Sequence, residues 1–77
     1  MTNAEIVAQA VRNLESDMRA LGVARSCFST REIMREVGRN GYYLSTAKTR
    51  NVCRHLAKIG ELDTIKDGPY YRFSSSR

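Results

Sequence analysis

Residues 45–73, STAKTRNVCRHLAKIGELDTIKDGPYYRF, carry the reading on which the rest of the chain depends. Ser45 or Thr46 can cap a helix over about 46–59, and Gly60 ends it. At about 100° per residue, Val52, Leu56 and Ile59 cluster as a buried stripe. Arg50, Arg54 and Lys58 fall opposite it, with Thr46, Ala47 and Asn51 beside them. Lys48 and Thr49 flank the stripe, and His55 lies on its border. A helix that had only to stay soluble would mix in Glu to gain i,i+4 pairs, and this one contains no acid. The remainder predicts a hairpin over about 62–74. Two short runs rich in β-branched and aromatic residues flank Asp67-Gly68-Pro69, with Tyr71 and Phe73 on one face and Tyr70 and Arg72 on the other.

Upstream, Thr2 and Glu5 stand in capping-box spacing and open a helix over about 3–21 that Gly22 stops. Within its apolar face Val7, Val11, Leu14, Met18 and Leu21 follow a short heptad-like spacing. That seam is either core packing or a dimer contact. A face this wide leaves room for both, with Ile6 and Ala10 inward and Val7, Leu14 and Leu21 toward a second copy, so a homodimer is expected. After the apolar pair Cys27-Phe28, Ser29 and Glu32 form a second capping box and start a helix over about 30–37. Its buried side is Ile33, Met34 and Val37, and Gly38 stops it. Gly38-Arg39-Asn40-Gly41 is turn chemistry. Tyr42, Tyr43, Tyr70 and Tyr71 read as hairpin and core packing.

The chain has 77 residues and a net charge of +5. A domain of this size builds one small core and is far too short for a barrel or a doubly wound sheet. The charge is unevenly placed. Up to Val37 five basic residues face five acids, whereas from Gly38 onward eight basic residues face only Glu61, Asp63 and Asp67. A local basic field of this kind is the footprint of a polyanion-binding face. Cys27 and Cys53 stand apart from each other and from any ligand set, and His55 is the single histidine. Reduced thiols, no metal site and no cofactor are therefore expected. With no pair of carboxylates beside a nucleophile, no enzyme is expected either. The N-terminus lacks a signal pattern and no run suits a membrane span, which predicts a cytoplasmic protein, nucleoid-associated or in a virus-infected host cell.

Helix, short strand, helix, turn, helix and two-stranded hairpin is an order that resembles the winged helix-turn-helix superfamily, from about Asn3 to Phe73. FSTREIMREVG looks like the supporting helix and STAKTRNVCRHLAKIGEL like the recognition helix. HLAKIGELDTIKDGPYYRF is similar to the end of many small prokaryotic and viral regulators of that type. The Gly38–Leu44 connection is longer than a simple helix-turn-helix turn. The fold class expected is α+β, mainly helical, as one domain.

The resemblance implies that the 46–59 helix enters the DNA major groove while the hairpin touches adjacent backbone, as in a sequence-specific transcriptional regulator. The residue chemistry points the same way. Ser45 and Thr46 offer a phosphate the donors of a helix N-terminus. Arg50 and Arg54 have the fork that reads guanine, and Asn51 can pair with adenine. Lys58, Lys66 and Arg72 suit phosphates, Arg39 can reach the backbone, and Lys48 ranks below Arg50 and Arg54. The competing class is an adaptor or inhibitor whose basic face binds an acidic protein partner.

Overall fold

The computed structural model describes residues 1–23 and 27–76. Helix α1 spans Asn3–Ala20, α2 Thr30–Arg39 and α3 Thr46–Lys58. Strands β1 (Phe28–Ser29), β2 (Leu62–Asp67) and β3 (Tyr70–Ser75) form an antiparallel sheet in the order β1-β3-β2. The fold is a small, mostly helical α+β domain. The hairpin is not two-stranded on its own: β1 pairs with the outer edge of β3, Phe28 opposite Phe73 and Ser29 opposite Arg72. A two-residue strand leaves almost no alternation to read. It exists because the edge of β3 offers unpaired backbone groups to the segment entering α2.

Each helix begins where a side chain meets its free backbone donors. Thr2 Oγ1 accepts from Glu5 N–H at 3.1 Å, and Glu5 Oε1 accepts from Thr2 N–H at 2.9 Å. The Thr2 backbone bond, followed by its side-chain hydroxyl, holds the Glu5 carboxyl below its ordinary range. Ser29 and Glu32 repeat the box on α2. Ser45 caps α3 alone, accepting from Lys48 N–H at 3.1 Å. Gly38 does not stop α2. It stays inside the helix, which runs on to Arg39, and Gly41 takes the positive φ of +89° that the turn requires.

The core is shared by every element. Ile6, Val7, Ala10 and Val11 of α1 meet Ile33 and Val37 of α2, Cys53 and Leu56 of α3, and Phe28, Leu62 and Phe73 of the sheet. Leu44 is buried beside them and pins the connection that leads into α3. On α2, Glu36 is buried where Met34 was expected, and Met34 is half-buried. The α3 stripe is also rotated from the expected one. Thr49, Cys53 and Leu56 are buried, Val52 is half-buried, and Ile59 caps the helix at 55% exposure. Thr49 can sit in the core because its hydroxyl donates to the Ser45 carbonyl at 2.9 Å, leaving no unpaired polar atom. An apolar pattern overlooks such a residue. His55 is exposed.

Candidate functional site

The rotation of α3 decides what faces solvent. Lys48, Arg50, Asn51, Arg54 and Lys58 are all exposed. Among the described residues, none of the four basic side chains has a carboxylate within ion-pair distance; the ion pairs present involve Arg39 and Arg72. The first turn of α3 carries Lys48 and no acid, against the preference of the positive end of a helix dipole.

Beside α3 lies a cleft of about 510 Å³. Its α3 wall is Thr46, Arg50 and Arg54, and its second wall is the start of α2, Ser29 to Arg31. The hairpin closes it with Pro69, Tyr70 and Tyr71, over Phe73 at its base. Among the described residues, no carboxylate lines it. A second hollow, of about 520 Å³, differs in charge. It includes Glu32 and Asp67 together with Arg72 and Lys66, so its charges offset one another.

Of the ten expected contact residues only Thr46, Arg50 and Arg54 line the α3 cleft; Ser45, Lys48, Asn51 and Lys58 lie elsewhere on α3 or at its head, and Arg39, Lys66 and Arg72 lie off the helix altogether. Arg72 is held by Glu32 at 3.0 Å and Asp67 at 3.6 Å, and its guanidinium also donates to the Cys27 carbonyl at 3.4 Å. These contacts tie the strand to the helix and pair the Arg72 charge within the chain. Lys66 is exposed and without an ion pair among the described residues; it lines the second hollow, although its register opposite Tyr71 puts the two on one face of the hairpin. Arg39 lies 3.6 Å from buried Glu36 and lines a separate polar notch between α1 and α2. At the head of α3 the hydroxyls of Ser45 and Thr46 are both engaged. Ser45 Oγ caps Lys48 N–H, and Thr46 Oγ1 donates to Met34 Sδ at 3.1 Å.

The sequence reading did not single out Arg31, Pro69, Tyr70 or Tyr71 as site residues, although all line the cleft. Arg31 carried a signal, since a cation in the first turn of a helix opposes the dipole. The tyrosines were expected in packing, yet Tyr43 is 87%, Tyr70 73%, Tyr71 46% and Tyr42 42% exposed.

The seam on α1 is divided. Val7 and Val11 are wholly enclosed within the chain and have no surface for a partner. Leu14 and Met18 are half-buried against the core, and Leu21 is 77% exposed.

Among the described residues no helix is long and apolar enough to cross a membrane, and no three metal-ligating side chains cluster. Comparison with known proteins returns no matching family, no curated relative and no matching solved structure.

Proposed function

We propose that the chain is a small sequence-specific DNA-binding protein of the winged helix-turn-helix kind, acting as a transcriptional regulator. In this reading α3 enters the major groove and the β2–β3 hairpin lies over the adjacent backbone. The observation that carries it is the exposed face of α3, where Arg50, Arg54 and Lys58 surround Asn51 with no carboxylate partner among the described residues. Leaving such charges uncompensated disfavours the folded monomer and favours a polyanion. The order helix, strand, helix, helix, hairpin and the pairing of β1 with β3 support the fold assignment.

A homodimer fits the same reading, because one recognition helix spans few base pairs and two-fold pairing matches a palindromic site. With Val7 and Val11 enclosed, the contact falls to the end of α1, where Leu21 and Val23 are exposed beside Met18.

Selection of bound duplexes from a random pool tests the function. A defined preferred site is expected, and the Arg50→Ala/Arg54→Ala double variant should lose affinity by at least about ten-fold with its melting temperature unchanged. Enrichment of no sequence, or wild-type affinity in the double variant, would remove this reading.

A further inference from the structure

We infer that the cleft between α3, the start of α2 and the hairpin turn seats one sugar-phosphate strand of the duplex, with Arg31, Arg50 and Arg54 as phosphate ligands. The inference rests on the DNA-binding reading and changes its division of labour: Arg50 grips backbone, and base reading shifts to Asn51 on the outward line of α3.

Three observations carry it. The first is charge. Arginines from two separate helices line one concavity that no carboxylate among the described residues enters. Arg31 stands in the first turn of α2 beside the capping Glu32; Arg31 lines this cleft and Glu32 does not, so the basic side chain faces the concavity without its acidic neighbour. The second is direction around α3. Thr49, Cys53 and Leu56 define the buried side. Thr46 and Arg50 lie on the flank turned toward the hairpin, whereas Asn51, exposed on the outward line, does not line the cleft. The third is shape. A duplex presents concave grooves bounded by convex sugar-phosphate ridges. A helix laid in a groove therefore brings the concavity on its flank over a ridge. Tyr70 and Tyr71 stand on the far wall, where an aromatic body packs on a sugar and a phenol hydroxyl reaches a phosphate oxygen. Base readout by Arg50 would need its guanidinium to leave this wall for the groove floor.

The test uses fluorescence anisotropy on the duplex selected by the wild type and on an unrelated duplex, each over a salt series. Arg31→Gln, Arg50→Gln and Asn51→Ala are compared, with thermal melts as the folding control. Arg31→Gln and Arg50→Gln should each weaken both duplexes by the same factor and lower the salt slope by ~1, so that the affinity ratio between 50 and 200 mM salt shrinks by roughly three- to four-fold. Arg31→Lys should restore most of the slope. Asn51→Ala should lower affinity for the selected duplex alone and leave the slope in place. A wild-type slope in Arg31→Gln, or altered sequence preference with an unchanged slope in Arg50→Gln, would overturn the inference while the DNA-binding reading survived. A wild type that binds neither duplex would remove both.

Discussion

Arg72 Nη2 lies 3.0 Å from Glu32 Oε1, the oxygen that also accepts the Ser29 backbone N–H at 3.1 Å. One carboxylate thus caps α2 and fastens β3 to it. Both side chains are more than a third exposed, so solvent screens the pair and its contribution stays within about 1 kcal/mol. Glu32→Gln keeps a capping side chain and removes the charge. A double-mutant cycle of Glu32→Gln with Arg72→Met, followed by urea unfolding, should give a coupling of about 0.5–1 kcal/mol. In DNA titrations Arg72→Met should leave the salt slope unaltered, since its charge is already engaged.

Thr49 is fully buried and donates to the Ser45 carbonyl, which also accepts the Thr49 backbone N–H at 2.9 Å. Thr49→Val keeps the shape and loses one hydrogen bond, so unfolding should cost about 0.5–1.5 kcal/mol less. Ser45→Ala, which strips the Lys48 N–H of its cap, should cost about 1 kcal/mol. Chemical denaturation of the two variants checks both values.

Burial pushes the Cys53 thiol from an ordinary value of 9.0 up to about 12, while Cys27 is only half-buried. At pH 8 a thiol-specific reagent should label Cys27 promptly and Cys53 only after unfolding. The raised value also sets a sign for stability. Well below pH 9 the Cys53 thiol is protonated in both states and contributes no pH dependence. Between about 9 and 12 only the unfolded chain ionises there, so this term falls as pH rises. Melting temperatures of wild type and Cys53→Ala from pH 8 to 11 should show the steeper decline in the wild type.

Leu21 projects from the end of α1 at 77% exposure, with Val23 at 42% nearby. Sedimentation equilibrium at micromolar concentration should show self-association of the wild type and a monomer for Leu21→Glu. Leu14→Glu is a poor control, because Leu14 packs against the core and the substitution would also destabilise the fold.

The helices were legible because their ends are written locally. Thr2 with Glu5, Ser29 with Glu32, and Ser45 each meet donors within three residues, and Gly22 and Gly60 supply positive φ just past α1 and α3. The same local logic misplaced the stop of α2, since Gly38 and Gly41 are equivalent in composition and only the path to buried Leu44 makes Gly41 the turn. Along α3 the apolar pattern put Ile59 inside and left Thr49 at the margin. The true order depends on a hydroxyl finding a carbonyl one turn back, which periodicity does not register.

The sequence by itself determined three helices, a closing hairpin and the segregation of positive charge onto the second half of the chain. Caps, glycines and charge counts act over a few residues and carry their own physical cause. Tertiary structure alone decided which charges remain unpaired and which side chains share a cavity. Arg72 and Glu32 are 40 positions apart, and Arg31 reaches the α3 cleft from a different helix. Such meetings arise when the core brings β3 and α2 together around Phe28 and Phe73, and no local pattern encodes them. The pairing of β1 with β3 belongs to the same class, because two residues become a strand only when an open sheet edge lies beside them.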